Sequence, residues 1–343
     1  MLAIVADDLT GALDAAAPFA ARGMHVEVAL VGEAIDSALR LKPDVLSINL
    51  GSRELSGEAA GQRAAAALAG LPPEARLFKK VDSRLKGHIA AELDAVTFRS
   101  ALVAPAIPAF GRYVTDGCVR GFGVDAPISV RERLGRHAAR SIIPDTSTAA
   151  EMRAALEHAE RTGVDLLVGA RGLAEALAQH MTGDAAAHAA EISGGPALFV
   201  IGSRDPITLA QIDALRHSVA IRYLAAPNGR LVDPKDDGSA ITLVQAVAGE
   251  AEVSSEEVSE ALAESICPNL ARSVGTMLLS GGATAEAVLR KMNIQRFRLL
   301  GECLPGLGLA EVEGRCIIAK SGGFGSPDTL KQVAEASLRK MGS

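Results

Sequence analysis

Short apolar, β-favouring runs recur along this chain, each ending in a glycine- or aspartate-bearing turn and followed by an Ala- and Leu-rich stretch of helical period. LAIVA (2–6) runs into Asp7 and Asp8, then a helical pattern from Leu9 to Arg22 closed by Gly23. HVEVALV (25–31), DVLSINL (44–50), RLFKKV (76–81) and ALVAP (101–105) supply further strands, and VDLLVGARG (164–172) opens another unit. Strands separated by helices of roughly 10–15 residues cannot be joined as hairpins, so the pattern predicts parallel β-α-β construction. After the small, polar segment GDAAAHAAEISGGP (183–196) the units resume. ALFVIGS (197–203) precedes a helix near Thr208, TMLLSGGAT (276–284) precedes Ala285–Met292, and CIIAKSGGFG (316–325) precedes Thr329–Met341. Residues 218–275 are less regular, and PNGRLVDPKDDGSA (227–240) reads as a turn or mobile loop. A chain of 343 residues exceeds what one core usually supports. The expected fold is therefore α/β with two domains, 1–190 and 191–343, each a largely parallel sheet flanked by helices.

Composition removes several function classes. With 35 Lys and Arg against 41 Asp and Glu, the net charge of −6 has the wrong sign for binding a nucleic-acid backbone. Aromatic residues are 3% of the chain and Trp is absent, which leaves few platforms for stacking bases. The four cysteines, Cys118, Cys267, Cys303 and Cys316, form no C-x-x-C pair and read as reduced thiols. No two of the seven His have H-x-x-x-H spacing, so no metal ligands are assigned. The first residues, MLAIVADD, lack a basic n-region, and no apolar run is long enough for a membrane span; a cytoplasmic protein without a membrane partner is expected.

Three glycine turns suit phosphate. In IIAKSGGFGSPD (317–328) a strand ends at Lys320, and Gly322, Gly323 and Gly325 follow. Without Cβ atoms their N–H groups can approach an anion, and Ser326, Pro327 and Asp328 fit N-cap, N1 and N2 of a helix. SGGAT (280–284) repeats the logic, with Thr284 at the expected helix start, and IGSRDP (201–206) places Ser203 at a strand end. Ligands of parallel sheets bind at the carboxyl ends of strands, so one nucleotide site built from all three turns is the economical reading. Neither a P-loop nor a G-x-G-x-x-G fingerprint is present, which disfavours a Walker ATPase and a nicotinamide-dependent oxidoreductase.

In the first half, Asp7 and Asp8 end the first strand; Asp8 has a capping role available, whereas Asp7 has none. KKVDSRLKG (79–87) gathers Lys79, Lys80, Arg84 and Lys86 around Asp82 and Ser83, a cationic site for a small carboxylate or phosphate. Strand alternation sends Lys79 and Lys80 to opposite faces. Arg53 in NLGSREL (49–55) is a further carboxylate partner, and APAIPAFGR (104–112) forms a stiff loop at the same edge.

Taken in order, ADDLTGALD, KKVDSRLKG, PAIPAFGR, IGSRDPITLAQ, SGGAT and KSGGFG resemble the four-carbon acid sugar kinase family over nearly the whole chain. The resemblance implies an N-terminal substrate domain, a C-terminal nucleotide domain and a cleft between them holding the active site. It implies ATP-dependent phosphorylation of the terminal hydroxyl of threonate, erythronate or a 3-oxo-tetronate. The family's substrate site falls on Asp7, Asp8, Arg53 and the segment from Lys80 through Ser83 to Arg84. Its ATP site falls on Ser203, on Gly281, Gly282, Ala283 and Thr284, and on the glycines of 322–325. Two departures stand out: a C-terminal half shorter than is usual, and Arg84 and Lys86 where the family commonly has D-S-T-L-R-G.

Together these readings give Gly281, Gly282, Thr284, Lys320, Gly322 and Gly323 to ATP phosphates, and Arg53, Lys80 and Arg84 to the acid's carboxylate. Asp7, Asp8 and Asp82 hold its hydroxyls, one of them serving as base, with Asp7 ranked first and Asp82 second. Mg²⁺ comes with the nucleotide, and a homodimer is left open as the assembly. The competing reading is a catalytically inactive protein that binds sugar acid and nucleotide.

Overall fold

The computed structural model describes residues 1–232 and 234–341; residue 233, in the segment expected to be a turn, and residues 342–343, at the end of the second expected domain, lie outside the described residues. Two compact units divide at His188 and Ala189.

The first unit contains, in chain order, β1 (Leu2–Ala6), α1 (Leu9–Ala20), β2 (Val26–Ala29), α2 (Ile35–Leu39), β3 (Val45–Asn49), α3 (Gly57–Ala69), β4 (Arg76–Lys80), α4 (Ile89–Asp94), β5 (Ala101–Ala104), β6 (Arg112–Thr115), β7 (Cys118–Gly121), β8 (Ile128–Ser129), α5 (Val130–Leu134), β9 (Ser141–Ile142), α6 (Ala149–Arg161), β10 (Leu166–Gly169) and α7 (Arg171–Met181). Its main sheet runs β2-β3-β1-β4-β10-β5-β9, parallel at every pairing. All five residues of β1 are buried, as expected of a parallel strand covered on both faces. On one side Val5, Leu46 and Ile48 pack with Ile35 and Ala64. Strands β6, β7 and β8 form a separate antiparallel ribbon that the sequence pattern does not announce.

The second unit contains β11 (Ala197–Ile201), α8 (Pro206–Ser218), β12 (Arg222–Pro227), β13 (Ile241–Val247), α9 (Ser255–Ile266), β14 (Thr276–Ser280), α10 (Gly282–Lys291), β15 (Arg296–Leu304), β16 (Leu307–Val312), β17 (Arg315–Lys320) and α11 (Thr329–Met341). Strands β12-β13-β11-β14-β17 are parallel, and β17-β16-β15 continue as an antiparallel meander. Phe199, Leu278, Ile318 and Leu330 centre its core.

Helix α10 starts at Gly282, three residues before the expected Ala285, which places Thr284 inside the first turn. Helix α11 starts at Thr329, so Ser326 is not its N-cap: the Asp328 carbonyl accepts the first α-type bond, from Gln332 N, and 326–328 belong to the turn. Helix α1 ends at Ala20, and Gly23 takes a left-handed φ of 83° two residues past the Ala21 cap.

Candidate active site

Residues after β3, β1 and β4, three neighbouring strands, build the first cluster. Asp7 follows β1 and is 3% exposed. Arg53, on the loop after β3, grips it with both arms of a fork: Nε donates to Oδ2 at 2.8 Å and a terminal nitrogen donates to Oδ1 at 2.9 Å. The other terminal nitrogen of Arg53 lies 2.6 Å from Asp8 Oδ2. Burial pushes the Asp7 carboxyl up, but the Arg53 hydrogen bond and the charges of Lys79, Arg53 and Lys80 overcome it and hold Asp7 below the usual carboxylate range. Burial alone would lower Arg53, yet its two carboxylate partners raise it beyond the ordinary guanidinium value. Asp8 caps α1, its Oδ1 accepting from Gly11 N at 2.8 Å and its Oδ2 from the Thr10 hydroxyl at 2.9 Å.

The two lysines of β4 part company, as alternation predicts. Lys79 is buried and pairs with Glu92 on α4 at 2.6 Å, while Glu92 also accepts from the Ser52 hydroxyl. Ser52 N and Arg53 N in turn donate to the Asp7 carbonyl, at 2.9 and 3.3 Å. Lys79 and Glu92 therefore brace the loop that carries Arg53. Glu92 escapes sequence reading because it sits mid-helix, with no strand end or glycine beside it. Lys80 is 4% exposed, and its ammonium makes no hydrogen bond or ion pair to any described residue. A Cβ placed on Gly11 would meet Lys80 Nζ at 3.0 Å and Asp8 Oδ1 at 2.6 Å, so the glycine makes room for both.

Asp82 is committed to its own turn, accepting from Arg84 N at 2.8 Å. Arg84 is exposed, and Ser83 is buried beneath Arg112 of β6. Arg112 donates to the Ser83 hydroxyl and, through Nε and its second terminal nitrogen, to the Phe122 carbonyl at 3.0 and 2.7 Å. Burial and the neighbouring charge of Arg84 lower Arg112, with Asp82 opposing. Phe122 stands 65% exposed at the tip of the ribbon. Arg112 thus joins Asp82, Ser83 and Arg84 in one cationic corner.

In the second unit the three glycine turns follow β11, β14 and β17, again neighbouring strands. Gly202 lies against Thr284, and Gly322 against the Ser203 hydroxyl, each so closely that no Cβ fits. Gly281, at φ 108°, precedes α10, whose first-turn amides of Gly282, Ala283 and Thr284 lack intrahelical partners. Gly323 approaches Asp205, the N-cap of α8 that accepts from Ile207 N at 2.9 Å. Two of the expected phosphate-binding side chains are buried. The Thr284 side chain is 2% exposed and faces the Ser259 hydroxyl at 3.3 Å. Lys320 is fully buried, and its Nζ donates to Thr208 Oγ1 at 3.0 Å and to the carbonyls of Ser321 and Gly322 at 3.0 and 3.1 Å. Gly325 folds back onto Thr329 and Gln211, away from Ser203.

Among the described residues no group of three His, Cys, Asp or Glu could hold a metal ion, and no helix is long and apolar enough to cross a membrane.

These two clusters lie at the carboxyl ends of strands in two α/β units, where parallel sheets hold their ligands. A family model described as "Sugar-binding N-terminal domain" matches residues 2–129, and one described as "Nucleotide-binding C-terminal domain" matches residues 198–330. The chain belongs to the four-carbon acid sugar kinase family. It is 27% identical to the D-threonate kinase of Cupriavidus necator, over 97% of each chain, and 27% identical to that of Bordetella bronchiseptica, over 98% of this chain and 97% of the other. Both alignments run over 404 positions, so these relatives carry segments that the present 343 residues lack. Among solved structures, the Haemophilus influenzae protein HI1011 matches with a TM-score of 0.71 at 18% identity, over 97% of this chain and 99% of the other. A Salmonella typhimurium LT2 protein described as a tRNA synthase matches with a TM-score of 0.76 at 18% identity, over 99% of both. At that identity the likeness concerns the fold alone.

Proposed function

We propose that the protein uses ATP to phosphorylate the terminal hydroxyl of a four-carbon sugar acid of the threonate, erythronate or 3-oxo-tetronate type. The observation that carries the reading is that each unit gathers its ligand-suited residues after three neighbouring strands: carboxylates, Arg53 and an unpartnered Lys80 in one, open backbone amides in the other. Kinship with proteins named D-threonate kinase supports the same class of substrate.

In this proposal Lys80 holds the acid's carboxylate, with Arg84 and Arg112 framing the corner, and Ser83 contributes a hydrogen bond. Arg53 keeps Asp7 ionised and, by touching both carboxylates, aims Asp7 and Asp8 at the sugar hydroxyls. The attacking oxygen forms a bond to the γ-phosphorus, the bridging bond to the β-phosphate breaks, ADP leaves, and the hydroxyl proton passes to a carboxylate. The sequence ranks Asp7 first for that role. Its Arg53 fork and lowered pKa make Asp7 a poor proton acceptor, and the role passes to Asp8, whose side chain is the more exposed of the two. Asp7 then orients the hydroxyl. On the nucleotide side Ser203, the first-turn amides of α10 and those of Gly322 and Gly323 take the phosphates, as helix N-termini and glycine loops do elsewhere. Mg²⁺ would come with the nucleotide, held by its phosphates with one or two carboxylates, and would supply charge neutralisation.

A coupled assay of ADP release, run across the tetronic acids with ATP and Mg²⁺, tests the reading. Turnover with at least one of them supports it. Tight binding of both acid and ATP without turnover would identify an inactive binding protein instead.

A further inference from the structure

The glycine loop after β17 has an inward and an outward side. Its carbonyls face inward to fixed donors. Gly322 O accepts from the Thr208 hydroxyl at 2.7 Å and from Lys320 Nζ at 3.1 Å, and Ser321 O accepts from Lys320 at 3.0 Å. Gln211 Nε2 donates to the carbonyls of Phe324 and Ser326 at 3.0 and 2.9 Å. Thr208 and Gln211 lie one turn apart on α8 and are fully buried, as is Lys320. Lys320 also binds the neighbouring turn, because its own carbonyl accepts from Gly281 N at 2.9 Å. A peptide plane whose carbonyl is held inward turns the amide on its other side outward. The N–H groups of Gly322 and Gly323 have no partner among the described residues.

We propose that Lys320 is a positioning residue: its buried ammonium draws the loop carbonyls inward and so aims the amides of Gly322 and Gly323 at a nucleotide phosphate. This rests on the nucleotide reading above. It assigns the lysine a role different from direct phosphate contact, and it makes phosphate binding depend on a proton. An ammonium donates to all three oxygens at once, whereas a neutral amine has two hydrogens and a lone pair that must face one of them. Burial brings the Lys320 pKa down to about 8, while Asp205, the charged group whose field reaches it, pulls upward. As pH rises through that value the third acceptor is lost and the loop loosens.

The test is calorimetric titration with ATP and with adenosine, from pH 7 to pH 9.5, on the wild type, Lys320→Met and Thr208→Val. Wild-type affinity for ATP should fall at least tenfold across that range while affinity for adenosine stays level. Lys320→Met should bind ATP at least tenfold more weakly at pH 7, with a flat pH profile and unchanged adenosine binding. Should Lys320→Met not fold, Thr208→Val carries the test: it leaves the ammonium but removes its hydroxyl partner, and should weaken ATP alone, by a smaller factor. ATP affinity that is level with pH in the wild type, or unchanged in a folded Lys320→Met, overturns the positioning role and leaves the nucleotide reading intact. A wild type that binds no ATP at any pH overturns both.

Discussion

Asp7 and Asp8 are adjacent in sequence and close to the same guanidinium, yet their surroundings set them different work. Replacing Asp8 by Asn keeps a capping oxygen for Gly11 N, so the fold should persist while kcat falls by about 10²- to 10⁴-fold, the usual loss for a removed general base. Asp7→Asn should act more on acid affinity, because it strips Arg53 of a charged partner; steady-state kinetics on both variants separate kcat from KM. If Asp8→Asn keeps near-normal kcat, proton acceptance is not its task. Gly11→Ala makes a complementary case. Alanine favours a helix over glycine by about 1 kcal/mol, but its Cβ would crowd the Asp8 oxygen that caps Gly11 N and the buried ammonium of Lys80. Displacing the cap costs about 1 kcal/mol and offsets the gain, so the melting temperature should change little while acid binding drops by tenfold or more. Both effects were legible in part: strand-end carboxylates and the cationic segment stand out in sequence. The bracing by Glu92 does not, since nothing in IAAELD marks a carboxylate that will be buried against a lysine from another element.

Strand-turn-helix units were readable because the parallel strands are continuous apolar runs and the helices between them have their own caps, such as the capping boxes at Thr148 and Ser254. What escaped was antiparallel. The β15-β16-β17 meander turns at Pro305–Gly306 and Glu313–Gly314, and β6 to β8 are strands of two to four residues, too short for a period to register. The start of α10 was misplaced by three residues, because Gly282 opens it without a side-chain cap; α11 starts at Thr329 as expected, but Ser326 stands before a further turn and does not cap it. At this scale the loop between β17 and α11 is open to a direct test. In Gly322→Ala the added methyl collides with the Ser203 hydroxyl and pushes apart two turns that meet only through glycine. ATP with Mg²⁺ at about 100 times its Kd should stabilise the wild type by about 2.7 kcal/mol. Gly322→Ala should lose that shift, with its ligand-free melting curve lowered by the roughly 1–3 kcal/mol that overpacking costs; a full response to ATP would place the nucleotide elsewhere.

Stability of the whole chain should respond to acid through carboxylates that are held ionised. Asp7, Asp94 and Asp165 all lie below the ordinary value of 3.8 in the folded state, so the unfolded chain binds their protons first as pH falls. Their contribution is present in full above the ordinary carboxylate range and disappears as pH drops through it toward the lowered values. Urea melts between pH 6 and pH 3 should show that decline, and it should be shallower in Arg53→Met, where the Asp7 share is already gone. The ribbon of β6 to β8 has a practical consequence. Its tip presents Phe122 to solvent, and the carbonyl of that residue is tied through Arg112 to Ser83 at the proposed acid site. The chain contains no tryptophan, so Phe122→Trp would carry the sole indole of the molecule. Excited at the red edge of its absorption, that indole would glow against a dark background. A sugar acid settling beside Arg112 should shift its emission, giving a stopped-flow signal for substrate arrival that needs no ATP and no turnover.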